Sequence, residues 1–237
     1  MYNQQKIIVV LPAYNAAATL ELTVHDVPEI VDEIILVDDK SHDETIAIAQ
    51  KLGLFIFSRA KNGGYGANQK DCYKLALEHG ADIVVMIHPD YQYDPKLINF
   101  FAKFIAEDYF DVMLGTRIRS RAEALAGGMP LYKYISNRAL TVLENLISGY
   151  NLSEWHTGMR AYKREVLESI DWQKNSDDFV FDSEMLFQIV AKKYRIGEIP
   201  VTVRYFKEAS SINFSRSLKY GFATIGVALK YLFGFFK

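Results

Sequence analysis

Five short apolar runs, at residues 6–11, 33–37, 54–57, 82–87 and 111–114, recur through the first half of the chain, and each stops abruptly at polar residues. Runs that are apolar throughout, rather than alternating, are what a strand covered on both faces requires. Between them, residues 19–27, 43–52, 66–78 and 95–106 place apolar side chains near the helical period. This alternation predicts an α/β fold: a doubly wound, mostly parallel sheet with helices on both faces. Ser41-His42-Asp43-Glu44 has the spacing of a capping box for the second helix, and Pro95 suits the first turn of the fourth.

The second half is less regular. Residues 132–147 read as a helix and Phe181–Ala191 as an amphipathic one. Residues 195–205 alternate around Pro200, as an edge strand would. The last stretch, SLKYGFATIGVALKYLFGFFK, is rich in aromatic and aliphatic residues but broken by Lys219, Lys230 and Lys237. It suits either an interfacial helix or a helix docked on the core. A catalytic domain over residues 1–213 and an apolar C-terminal helix over 214–237 follow from this reading.

With 237 residues, the chain suits one large α/β domain with such an appendage. A net charge of -2 argues against nucleic acid as a partner, which would call for a basic surface. The lone cysteine, Cys72, falls in an apolar-periodic stretch and reads as a small buried hydrophobe. The apolar run near the amino terminus is too short for a signal peptide, and no apolar stretch is long enough to span a bilayer. A cytoplasmic location is the expectation, with peripheral contact to the membrane face if the C-terminal helix is interfacial.

In open α/β sheets ligands bind beyond the carboxyl ends of the strands. There stand Pro12-Ala13-Tyr14-Asn15, then Asp38-Asp39-Lys40-Ser41, Asn62-Gly63-Gly64, His88-Pro89-Asp90-Tyr91-Gln92 and Gly115-Thr116-Arg117. Asp90 and Gln92, two apart beyond a strand, could turn hard oxygen donors to one side for Mg²⁺ or Mn²⁺, with His88 at the same parity. Of Asp38 and Asp39, one is expected to meet a base or ribose and the other to order the turn. The glycine-rich turn precedes a helix amino terminus, a setting that favours anions. Arg117, Ser136, Arg138 and Arg160 are candidates for holding a phosphate, and Glu154 for acid–base work.

Taken in order, these motifs resemble the family 2 glycosyltransferases, and above all the branch of the dolichyl-phosphate mannose synthases. Leu11-Pro12-Ala13-Tyr14-Asn15 is similar to the opening loop, and the segment from Val37 to Thr45 to V-D-D-x-S-x-D-x-T. Asn62, Gly64 and Gly66 match N-x-G-x-G, and His88 to Gln92 aligns with D-x-D-x-Q, with histidine in the first acidic position. Gly115-Thr116-Arg117, Thr157-Gly158-Met159-Arg160 and Phe181-Asp182-Ser183-Glu184 resemble later elements, with Glu154 in place of an aspartate. The basic element that should close the series is poorly matched by residues 204–211.

The resemblance implies a GT-A fold, a nucleoside-diphosphate sugar donor (GDP- or UDP-linked), a divalent cation and inversion at the anomeric carbon. Pro12, Ala13, Tyr14, Asn15, Asp38, Asp39, Asn62 and Gly64 would line the donor site. Asp90, Gln92 and His88 would hold the metal. Two acceptors stay open. A polyprenyl phosphate would need no base and would be held by Arg117, Ser136, Arg138 and Arg160. A sugar hydroxyl would need Glu154 as base. The apolar tail favours the lipid phosphate, and the poorly matched basic element favours the sugar hydroxyl. A nucleotide-sugar binding protein without turnover, or a nucleotidyltransferase, would also use such a site.

Overall fold

Strand β1 (Ile7–Ala13) is buried along its whole length and lies between two parallel partners, β2 (Glu33–Asp38) and β4 (Ile83–Met86). The structure is a computed structural model that describes residues 1–118, 120–203 and 214–236, with only the backbone of residues 214 and 215. Helices α1 (Leu20–His25), α2 (Thr45–Lys51) and α3 (Tyr65–Glu78) alternate with β2 and β3 (Phe55–Ser58). A 3₁₀ turn at Pro95–Leu97 leads into α4 (Ile98–Ala106) and then β5 (Val112–Thr116). Next come α5 (Arg121–Ala126), α6 (Leu131–Ser148), β6 (Arg160–Lys163), α7 (Arg164–Ser169), α8 (Phe181–Ala191), β7 (Ile196–Pro200) and α9 (Phe214–Leu232).

Among the described residues the strands form one sheet in the order β3-β2-β1-β4-β6-β5-β7. The five apolar runs all became strands, and all pair in parallel with one another where they are neighbours. β6 is the addition: it runs antiparallel to β4 and to β5, so the sheet is mixed but mostly parallel. Four residues beginning with arginine carry no readable period, which is why the sequence hides it. β7 closes the edge as its proline requires, since an edge position leaves no sheet partner waiting for the missing N–H.

The two faces follow from the period of two along a strand. Ile8, Val10, Ile35, Val37, Val84 and Met86 pack with α3 and α8, and Ile7, Val9, Leu11, Leu36, Ile83 and Val85 with α1, α2 and α4. Cys72 is buried in the first layer, as expected, and burial pushes its thiol pKa up. Two local expectations fail. The capping box does not form: α2 starts at Thr45, whose amide and hydroxyl both bond to Asp43, while the Ser41 hydroxyl is taken by the Asn15 amide. α8 is not amphipathic, because α9 covers the side that would otherwise meet solvent, and Phe181 to Val190 are all buried.

Past its midpoint the sheet is held at the amino-terminal side of β5 by Asp111. Its carboxylate accepts from the Arg195 backbone at 2.9 Å and side chain at 2.7 Å, and from Lys163 at 2.9 Å. Arg195's hydrogen bonds, with Lys163, outweigh burial and hold this carboxyl well below its usual value. A depressed carboxylate stabilises the fold fully above its unfolded pKa of about 4, and that contribution is lost as pH falls. Asp111→Asn is expected to cost about 2–3 kcal/mol at pH 7. Chemical denaturation at pH 7 and pH 3 checks this: the gap between variant and wild type should narrow at the lower pH.

Candidate active site

β1 runs on past the point where β4 stops. Its pairing with β4 ends at Val10, while its pairing with β2 continues to Ala13. Pro12, which has no N–H to give, sits in this one-sided stretch. The gap opens where the strand order reverses, and a crevice at such a switch point is where α/β sheets bind ligands.

Polar residues after each strand lace the rim of this crevice together. The Asn15 side-chain oxygen accepts from the His42 amide at 2.8 Å, and Thr45 Oγ1 from the Ala16 amide at 2.8 Å. Asn68 donates to the Ala13 carbonyl, Asn62 to the Asp39 carbonyl, and Thr19 Oγ1 to the Pro89 carbonyl at 2.6 Å. Asn15 takes a left-handed backbone (φ 52°) to make the turn. Tyr14 is half exposed, with its ring edge-on to His42 at 6.5 Å between centroids. Pro12 and Ala13 are buried, so their part in any ligand contact is confined to the main chain.

Asp38 and Asp39 are both buried and both order turns. Asp38 accepts from the Ser41 amide and the Ser58 hydroxyl, and Asp39 from the amides of Gly63 at 2.8 Å and Gly64 at 3.0 Å. Gly64 has φ 96°, which favours glycine, and a Cβ on Gly66 would stand 2.4 Å from the Ser176 carbonyl oxygen. That close approach explains the glycine in another way than anion binding. The Gly66 and Ala67 amides at the start of α3 both point to the Asp177 carbonyl, so this helix terminus is already filled.

The metal motif is a turn and not an extended strand end, because β4 stops at Met86 and Tyr91 is left-handed (φ 55°). Parity along a strand thus does not govern where Asp90 and Gln92 point. Asp90 Oδ1 accepts from the Gln92 amide at 3.1 Å, and Asp94 instead caps the following 3₁₀ turn. His88 belongs to another set of contacts. Its Nε2 lies 3.3 Å from the Tyr65 hydroxyl, and the ring packs against Gly158, where a Cβ would come within 2.8 Å. Tyr65 donates onward to Asp182 at 2.8 Å.

Arg160 cannot serve a phosphate from where it stands. It is fully buried and donates to the carbonyls of Thr157, Trp155 and Asp182, with Asp182 Oδ2 3.5 Å away. Arg138 spans to the Ser153 carbonyl at 2.7 Å, and Ser136 is exposed on α6.

Arg117 is held on three sides. Its backbone amide bonds to Glu154 Oε2 at 2.8 Å, its Nε to Oε1 at 2.8 Å, and its Nη2 to both Oε1 and the His156 carbonyl. Asn137 of α6 adds a bond to Glu154 Oε1 at 2.9 Å. Burial would push the fully buried Glu154 carboxyl up, but Arg117 and Asn137 bring it below its usual value. Its lone pairs are spent on fixing Arg117, which leaves it poorly placed to take a proton from an acceptor. Lys133, one turn before Asn137, was not picked out in the sequence. Burial, and after it the like charge of Arg117, lower its ammonium pKa. The Lys133–Asn137 spacing on one helix face was the available signal.

The model of the family described as "Glycosyl transferase family 2" matches residues 8–171. The chain belongs to that family. It is thus a glycosyltransferase, and its sheet is of the GT-A type. It is 30% identical over 206 residues to a dolichyl-phosphate hexose transferase of Haloferax volcanii, covering 86% of this chain and 85% of that one. It is 28% identical over 217 residues to the UDP-N-acetylglucosamine–dolichyl-phosphate N-acetylglucosaminyltransferase of Methanococcus voltae, covering 84% and 86%. By these relatives the chain resembles the polyprenyl-phosphate glycosyltransferase branch. Among solved structures, glucosyl-3-phosphoglycerate synthase from Mycobacterium tuberculosis, crystallised with Mn²⁺, UDP and glucosyl-3-phosphoglycerate, matches with a TM-score of 0.72 at 19% identity. That match covers 97% of this chain and 80% of the synthase.

Glu154→Gln separates an anchoring from a basic role. The variant should lose about 3 kcal/mol of stability, because a largely buried arginine loses its counter-charge. Its kcat should fall by about 10- to 100-fold, as expected for a misplaced binding group. Any acidic limb of the kcat–pH profile should remain; its disappearance would restore Glu154 as the base.

Proposed function

We propose that the transferase moves a sugar, with inversion, from a nucleoside-diphosphate sugar to a polyprenyl phosphate, assisted by Mg²⁺ or Mn²⁺. The observation that carries this reading is the commitment of Glu154 to Arg117. A hydroxyl acceptor needs a base, and the carboxylate best placed by sequence is already spent. A phosphate acceptor arrives ionised, and what it needs is a cation such as Arg117, preorganised by Glu154.

An acceptor of this kind also has an apolar tail, and two packed helices expose apolar faces that suit one. α6 exposes Leu131, Ile135, Val142 and Leu146 along one side. α9 packs on α6 and exposes Leu218, Phe222, Ile225, Leu229 and Leu232, spaced three or four apart. One face of α9 is thus docked, and the other, apolar and exposed, supports the interfacial reading. No helix among the described residues is long and apolar enough to cross a membrane. Peripheral contact with a membrane surface, on the cytoplasmic side, is the arrangement proposed.

On the donor side, the rim built by Tyr14, Asn15, Asp38, Asp39, Asn62 and Gly64 would take the nucleoside. Among the described residues no three acidic, histidine or cysteine side chains converge on a metal-sized site. The partly exposed Asp90, with Gln92 beside it, fits a cation of the Mg²⁺ type, which takes few protein ligands and the rest from diphosphate and water. Such a cation would offset the charge building on the leaving diphosphate. The chain itself orients the donor in the crevice and fixes Arg117 for the acceptor phosphate, so that the ionised oxygen attacks opposite the leaving group.

The test is nucleoside diphosphate release from UDP- and GDP-sugars with Mn²⁺, with and without a short polyprenyl phosphate. Release should depend on the lipid, and Asp90→Ala should reduce it by at least about 100-fold. Donor binding without lipid-dependent release would instead support a hydroxyl acceptor or a binding protein. In a separate measurement, replacing Phe222 and Leu229 by serine should weaken sedimentation with anionic vesicles severalfold. Unchanged partitioning would leave the α9 face without a membrane role.

A further inference from the structure

The loop that anchors Arg117 is also where the C-terminal helix touches the catalytic domain most polarly. His156, nearly buried, presents three groups to three different elements. Its carbonyl oxygen accepts from Arg117 Nη2 at 2.6 Å. Its Nδ1 shares a 2.6 Å hydrogen bond with the Tyr220 hydroxyl of α9, and the two rings meet edge to face at 5.4 Å. Its Nε2 stands 3.0 Å from Glu144 Oε2 of α6, although off the line of a good hydrogen bond. With the Nε2 proton turned towards Glu144, Nδ1 is left to accept from Tyr220.

These contacts are costly places to put polar groups. Glu144 is fully buried, and Thr224 of α9 and Ser183 of α8 bury hydroxyls with no partner among the described residues. Burial, then the charge of Glu144, pushes the Tyr220 hydroxyl pKa up, so it stays a neutral donor. A helix that only covered apolar surface would need none of this. The polar seam instead fixes one register of α9 on α6 and α8, because a slip of one residue would strand Glu144 and His156 without Tyr220. α6 holds both ends of the arrangement, with Asn137 on Glu154 and Glu144 on His156 seven residues later on the same face.

We propose that His156 and Tyr220 are positioning residues for Arg117, so that the seating of the C-terminal helix is transmitted through the His156 backbone to the acceptor-phosphate arginine. This rests on the reading above, in which Arg117 meets the acceptor phosphate. The helix whose outer face is apolar is thereby the element whose inner face sets the geometry of transfer. Whatever surface engages Phe222 and Leu229 bears on the same rigid helix that carries Tyr220.

Tyr220→Phe removes the hydroxyl and keeps the ring, so the fold should survive. Its kcat for lipid-dependent release is expected to fall about 5- to 10-fold, with KM for the donor within twofold. In an Arg117→Lys background the same change should have little further effect, because both act through one group. Losses that multiply in the double variant, or an unchanged kcat in Tyr220→Phe, would overturn the proposal. A second readout needs no turnover. The Arg117 Nε–H resonance, assigned by its absence in Arg117→Lys, should shift in Tyr220→Phe and in His156→Gln; a resonance unmoved in both overturns it. If wild-type protein releases no nucleoside diphosphate but the resonance shifts, the coupling stands and the transfer reading fails.

Discussion

A carboxylate taken out of water must be met by donors, and at the carboxyl edge of this sheet three such groups decide where the loops go. Asp39 gathers the amides of Gly63 and Gly64. Asp182 gathers Tyr65, Gln69 and Arg160. Glu154 gathers Arg117 and Asn137. Each is held by groups from distant parts of the chain, so each loop is fixed by its neighbours and not by its own sequence. Leaving one of these charges without partners would cost several kcal/mol. The rim of the crevice is therefore stiff before any ligand arrives.

Stiffness at this place has a chemical use. Transfer of a glycosyl group asks the protein to hold a nucleotide-sugar donor and an acceptor, and to bring them together without reorganising at the moment of reaction. Arg117 has no freedom to follow a ligand, because its amide, Nε and Nη2 are all engaged. Arg160, for all its charge, is a structural post: it ties the loop at 155–157 to α8.

The motifs that carried the family resemblance turn out to do their work largely through the main chain. Ser41, Asp43 and Thr45 bond to the amides of residues 15–17, and Asn62 and Asn68 to the carbonyls of Asp39 and Ala13. They shape the donor rim more than they reach into it. A polar residue at a strand end looks the same in a sequence whichever way it points. His88 and Glu154 illustrate this. The first packs on Gly158 and Tyr65, and the second serves Arg117.

What the sequence determined by itself was the layering. Uniformly apolar runs such as Ile7 to Leu11 call for strands, and the helical period between them for helices that cover the sheet. The family followed from ordered motifs, since their spacing along the chain survives without any knowledge of contacts. Tertiary structure decided the rest: that a four-residue segment starting with Arg160 enters the sheet antiparallel, and that α3's amino terminus is closed by Asp177. It also decided that Tyr220, far along the chain, reaches the histidine behind Arg117. Such pairings depend on which groups are left unsatisfied once the layers pack, and that demand has no local signature in the chain.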